Sequence, residues 1–273
     1  MTFKILKTAK HLVVTAVLSA SVLLVGCGAG DENDPLKVGV ITGPEVDVMR
    51  VAIELTEKQH GFDIELVEFS DYISPNVALA DGSIDVNAFQ HRPYLESMVR
   101  DRGFKLVNVG NTFVYPIAAY SNKLKDMSEL QDGAKIAIPN DPSNEGRSLI
   151  LLAQHGYIKL KDITNLESTP ADIMENPRNF KFIELDAAQL PRSLNDVDLA
   201  IINNTYSVPA GLMPTKHGLL VEDENSPYVN IIVSREDNND DPRIVALVNS
   251  YQSDAVEAKA DELFQGSSVA GWH

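Results

Sequence analysis

Four short stretches carry residue types able to do chemistry, and each suits noncovalent recognition. Residues 85–95 (DVNAFQHRPYL) fall where an apolar strand gives way to a helix, with Pro93 in its first turn. Strand alternation would put Asn87, Phe89 and His91 on one side; the plain alternative is a core phenylalanine beside a solvated histidine. Residues 139–147 (PNDPSNEGR) open a helix at Pro142 and Ser143. Its free N–H groups and dipole favour a carboxylate, and the planar fork of Arg147 fits one bidentately. Otherwise Arg147 pairs with a surface acid. In residues 201–206 (IINNTY), asparagines directly follow an apolar strand. They are either hydrogen-bond partners for a ligand or turn formers. In residues 226–233 (SPYVNIIV), Asn230 sits inside an apolar strand, where an amide is costly unless satisfied.

Catalytic signatures are missing. There is no Gly-x-Ser-x-Gly elbow, no phosphate-binding Gly-x-x-x-x-Gly-Lys loop and no dinucleotide Gly-x-Gly-x-x-Gly. The histidines form no His-x-His or His-x-x-x-His pair, so no metal and no cofactor are expected. The expectation is a binding protein, not an enzyme. The alternative is a secreted α/β transferase or hydrolase acting on a small acid. The four stretches suit a free amino acid. Arginine or helix amides would meet its carboxylate, and asparagine and carbonyl oxygens its ammonium. Tyr72, Phe89 and Tyr115 could form an aromatic slot, and a thioether gains about 0.3–1.5 kcal/mol per ring contact. The residues alone reach a small zwitterion with an apolar side chain.

The elements that position these stretches alternate between strand and helix. Strands are expected at 36–41, 63–69, 84–89, 105–109, 113–120, 134–139, 180–185, 198–202 and 228–234. Helices are expected between Val46 and Gly61, at 74–80, 93–102, 148–154, 170–176 and 189–194, and as one long terminal helix over 242–264. This alternation implies α/β layers, and β–α–β order implies parallel pairs. Ligands in such sheets sit beyond the carboxyl ends of strands, where the four stretches fall. Two βαβ-rich halves suggest two lobes facing across a cleft.

Lys4, Lys7 and Lys10 precede an apolar run over residues 12–25, then Gly26 and Cys27, the single cysteine. The run is short for a spanning helix, which needs roughly 20 apolar residues. It reads as a signal peptide (residues 1–26) ending in a lipobox, with Cys27 as the lipidation site and residues 27–35 as a flexible tether. An ordinary secretory signal is the alternative. Loss of three lysines would move the formal charge from −16 to −19. Nucleic acid and anionic membrane faces are then poor partners.

Six stretches resemble the methionine-binding lipoproteins of the MetQ/NlpA type. They are LKVGVITGPE (36–45), NAFQHRPYL (87–95), IAIPNDPSNEGRSLILL (136–152), QLPRSL (189–194), INNTY (202–206) and SPYVNIIVSRED (226–237). The resemblance implies a two-lobed α/β periplasmic-binding-protein fold, type II-like, with the ligand in the interlobe cleft. It places lobe I at 36–115 plus 231–273 and lobe II at 116–230. It implies a lipid-anchored substrate-binding component of a methionine ABC importer in the bacterial cell envelope, facing the periplasm or exterior. Its partners would be L-methionine, a permease and its ATPase. Variants of this reading take D-methionine or a methionine-containing dipeptide, or make the protein a surface adhesin. Family ligand contacts fall on Tyr72, Phe89, His91 and Tyr94 from lobe I. Asn144, Arg147, Asn203 and Asn230 would come from lobe II or the crossings. Arg147 would hold the carboxylate, Asn203 and Asn230 the backbone groups, and the aromatics the thioether.

Overall fold

The computed structural model describes residues 34–223 and 226–273. The expected signal peptide and Cys27 lie outside the described residues, as does nearly all of the tether. The chain first lays down β1 (Leu36–Ile41), α1 (Pro44–His60), β2 (Ile64–Phe69), α2 (Ser74–Ala80), β3 (Val86–His91), α3 (Arg92–Arg102) and β4 (Leu106–Val114). It continues through β5 (Ala118–Tyr120), β6 (Lys135–Pro139), α4 (Pro142–Gln154), β7 (Lys159–Leu160), β8 (Ile173–Glu175) and β9 (Lys181–Leu185). Next come α5 (Leu190–Ser193), β10 (Leu199–Ile202), α6 (Asn204–Ser207), α7 (Pro214–His217) and β11 (Leu220–Val221). Last are β12 (Val229–Arg235), α8 (Pro242–Tyr251), α9 (Asp254–Phe264) and β13 (Val269–Ala270).

Two main sheets result. The first has the order β13-β4-β12-β3-β1-β2, the second β11-β5-β10-β6-β9. As the β–α–β order required, β1 pairs parallel with β2 and β3, and β6 with β9 and β10. The remaining pairs in both sheets are antiparallel. The chain leaves the first sheet after β4 and returns to it at β12, so it passes between the sheets twice.

Each sheet is covered on both faces, which explains the near-continuous apolar runs of its inner strands. In β12, Ile232 joins the core under α1, α8 and α9, while Ile231 and Val233 join Leu79 and Leu95 on the opposite face. In β10, Leu199 and Ile201 pack with α4, and Ala200 and Ile202 pack towards α5. Among the described residues no helix is long and apolar enough to cross a membrane.

Three segments depart from expectation. The two strands expected at 105–109 and 113–120 are instead one strand, β4, then a break, then β5. Gly110 lets the strand run on, because a Cβ there would stand 2.6 Å from a Val248 methyl. The break falls at Pro116, which has no N–H to give a ladder. The expected long terminal helix is two helices: the backbone is extended at Ser253, between α8 and α9, and Asp254 and Glu257 suit the positive end of α9. The helix expected at 170–176 is one 3-10 turn, Pro170–Asp172, followed by β8. β8 pairs with β7, which claims the backbone groups a helix would need.

Candidate functional site

The four chemistry-bearing stretches converge. Phe89 and His91 stand in the last three residues of β3, with Tyr94 on α3; Tyr72 follows β2 and Tyr115 follows β4. From the second sheet's side come Asn144 and Arg147, three apart and so on one face of α4, and Asn203 after β10. Asn230 stands in β12, within the first sheet rather than in a crossing. All nine line one tight cavity with about 20 Å³ of free space, room for little more than a water as it stands. Gln90, Asn204 and Thr205 line it as well.

Asn87 does not join them. The β3–β12 register skips at Phe89, passing from Ala88 to Gln90. Such a bulge re-aims the side chains beyond it and breaks strict alternation. Asn87 is instead fully buried in a ring of amides. Its Nδ2 donates to Asn76 Oδ1 at 3.0 Å, and Gln90 Nε2 donates to Asn76 Oδ1 at 2.7 Å and to Asn87 Oδ1 at 3.0 Å.

His91 caps α3. Its Nδ1 accepts the Tyr94 N–H at 3.2 Å, so the ring proton resides on Nε2, which faces Asn144 Oδ1 at 3.1 Å. Burial, and then the Arg147 charge, push its pKa down to about 3. A neutral donor therefore faces the second sheet's side. Asn144 Oδ1 also accepts from Asn203 Nδ2 at 2.8 Å, while its own Nδ2 lies 3.0 Å from both Asp141 carboxylate oxygens. One amide thus joins α3, α4 and the end of β10. The Asn144 N–H donates to Asp141 at 2.9 Å, so the chain's own carboxylate caps α4, the end expected to hold a guest carboxylate.

Arg147 is 3% exposed and paired, but its partner is not a surface acid. Its Nε donates to Glu222 Oε1 at 2.9 Å, and its Nη2 donates to Glu222 Oε2 and, at 2.9 Å, to the Tyr115 carbonyl. The Tyr228 ring lies 4.5 Å from its guanidinium carbon. Glu222 also accepts the Ile117 N–H at 3.3 Å. The Nε–Nη2 edge is thereby tied to both chain crossings, and Nη1 takes no part in these contacts. No spacing rule marks Glu222, because it meets Arg147 only through the fold.

The rings gather at one end. Tyr72 lies 5.9 Å from Phe89, 6.2 Å from Tyr94 and 4.9 Å from Tyr206 between centroids. Tyr94 Oη donates to the Tyr72 carbonyl at 2.8 Å. Tyr206 was missed as part of this box; its signal was an aromatic two residues after the asparagine pair. At the polar end, Asn203 Oδ1 and both amide atoms of Asn204 are buried without a hydrogen-bond partner. Leaving such groups unmet costs about 1–3 kcal/mol each, so these atoms call for a polar partner. Asn230 Nδ2 donates to the Phe89 carbonyl at 3.3 Å. Among the described residues no group of three or more His, Cys, Asp or Glu could hold a metal ion.

Gly146 explains why the PNDPSNEGR stretch needs a glycine inside a helix. A Cβ there would stand 2.3 Å from the Leu166 carbonyl oxygen. Gly146→Ala is expected to push α4 off this loop and lower stability by about 2 kcal/mol or more, measured by denaturant unfolding. An unchanged midpoint would show that the loop yields freely.

The NlpA lipoprotein family profile matches residues 36–272. The chain is 54% identical over 267 residues to the D-methionine-binding lipoprotein MetQ of Escherichia coli K12, covering 96% of this chain and 98% of that one. An ABC transporter periplasmic substrate-binding protein from Coxiella burnetii superposes with a TM-score of 0.83 at 48% identity, covering 86% of this chain and 100% of that one. A nutrient-binding protein from Burkholderia cenocepacia bound to methionine superposes with a TM-score of 0.84 at 46% identity, covering 87% and 100%.

Proposed function

The chain belongs to the NlpA lipoprotein family, and from that premise we propose that it captures methionine between two closing lobes and delivers it to an ABC importer. One observation carries the reading: a single cavity has aromatic rings at one end and an arginine edge with unpartnered amide atoms at the other. That polarity fits a zwitterion with a thioether tail. The relatives named for methionine binding or found with methionine bound support it, and the Coxiella relative supports the importer.

The geometry supports the following roles. Arg147, held along its Nε–Nη2 edge, presents Nη1 to the guest carboxylate. Asn203 Oδ1 and Asn204 Oδ1 accept from the ammonium, and Asn204 Nδ2 donates to the carboxylate. Tyr72, Phe89 and Tyr94 enclose the sulfur. Asn144 meets His91 and Asn203 with its oxygen and Asp141 with its nitrogen; it ties the walls together and contributes position. The body with the first sheet and the body with the second are the two lobes, hinged at the crossings that Arg147 and Glu222 join. A lipid on Cys27 tethers the protein to the envelope membrane, beside a permease driven by a separate ATPase.

Calorimetry on guest-stripped protein tests the reading. L-methionine is expected to bind at least about 100-fold more tightly than leucine or alanine, because both lack the sulfur that the rings favour. D-methionine and glycyl-methionine, titrated alongside, establish stereochemistry and guest length. Equal affinity for leucine and methionine would refute a thioether pocket.

A further inference from the structure

Glu45 is a buried acid that the roles above leave unused. It stands in the first turn of α1, 6% exposed. The Thr205 hydroxyl, in α6, donates to its Oε1 at 2.6 Å. Helix α1 covers the first sheet and α6 follows a strand of the second, so this bond joins the two bodies across 160 residues of sequence. Thr205 lines the cavity, as does Tyr72. The Glu45–Thr205 bond thus runs from one body to the other and ends on the cavity wall.

Resting on the methionine reading above, we propose that Glu45 is a positioning residue that clasps Thr205, holds α6 over the guest and makes capture tighter in acid than in base. Burial pushes the Glu45 carboxyl up to about 7, with the Thr205 bond opposing this only in part. The groups facing it are the hydroxyls of Tyr72, Tyr115, Tyr206 and Tyr251, all raised by burial and neutral in this range. On α1 itself Asp47 and Arg50 face each other in solvent. On the helices packed against α1, Arg243 pairs with Asp241, Lys259 with Glu262, and Glu257 with His273. Among the described residues no cation is seen to act on Glu45; the positive end of α1 offsets part of a charge there but burial outweighs it, so an ionised Glu45 opposes closure.

The sign follows from linkage. When the bodies part, Glu45 meets water and its pKa falls back towards the ordinary carboxyl value. The closed form then holds the extra proton, so closure is favoured as pH falls through about 7. The gain is complete below the ordinary carboxyl pKa and absent above about 8.

The test titrates the guest-stripped full chain with L-methionine by calorimetry between about pH 5.5 and pH 8. Wild type is expected to bind about tenfold more tightly at the acid end. Glu45→Gln keeps an acceptor for Thr205 but cannot titrate, and should bind with pH-independent affinity. The guest's own amino group titrates alike in both proteins and cancels from the comparison. Thr205→Val, which leaves Glu45 in place but removes the clasp, should weaken binding at every pH and keep or steepen the profile even if Glu45→Gln does not fold; unchanged affinity overturns the clasp. Methionine binding of constant affinity across the range, or a Glu45→Gln profile matching wild type, overturns the clasp and leaves the methionine reading standing. Absence of methionine binding at every pH overturns the reading and the clasp with it.

Discussion

Arg147→Ala is expected to weaken methionine binding at least about 100-fold, which is about 2.7 kcal/mol, and to cost the fold about 3 kcal/mol as well. Both losses have one source. The guanidinium is the cation proposed for the guest carboxylate, and it also neutralises Glu222, whose side chain is only 10% exposed. Truncation leaves that carboxylate buried beside the chain crossings with its main partner gone. Arg147→Lys separates the two effects. A lysine keeps the charge near Glu222 but loses the planar fork, so stability should largely recover while affinity does not. Calorimetry and denaturant unfolding on the three proteins provide the check. An alanine variant that binds methionine as wild type does would remove Arg147 from the site.

Asn144→Asp is expected to be nearly as damaging although it changes one atom. The amide nitrogen that now faces both Asp141 oxygens at 3.0 Å would become a carboxylate oxygen facing a carboxylate. Two such groups cannot both ionise at that separation, so one must hold a proton. The variant should lose about 3 kcal/mol of stability at neutral pH. It should regain part of that on acidification, because its folded form binds a proton that the unfolded form releases. Methionine affinity should fall with it, since His91 and Asn203 lose their neutral common partner. Melting curves across pH settle the matter: a variant as stable as wild type at neutral pH would mean that Asn144 is not the tie between these walls.

Much of this arrangement was legible in the residues. The parallel β–α–β units showed because strands buried on both faces read as apolar runs, and their flanking helices carry a helical period. The position of the cavity followed from polar residues beyond strand ends. Three features stayed hidden for separate reasons. The bulge at Phe89 replaces Asn87 with Gln90 in the cavity wall, and an extra residue in a strand leaves no periodic mark. Glu222 reaches Arg147 across 75 residues, and such a pair has no local signature. Glu45 looked like an ordinary acid in a helix's first turn, where acids are common; only the arrival of α6 buries it. The terminal helix was overextended because its apolar period continues through Ser253, while the division rests on extended backbone at that one residue.

Strand β12 lies inside the first sheet, between β4 and β3, yet it begins at Val229. The second sheet draws on one unbroken stretch, from β5 to β11. A chain emerging N-terminus first can therefore finish its second sheet while the first still lacks an interior strand. Until residues 229–235 arrive, β3 and β4 expose ladder edges that invite mispairing. The body synthesised first is the one completed last, so its early strands need shielding from other chains throughout that delay.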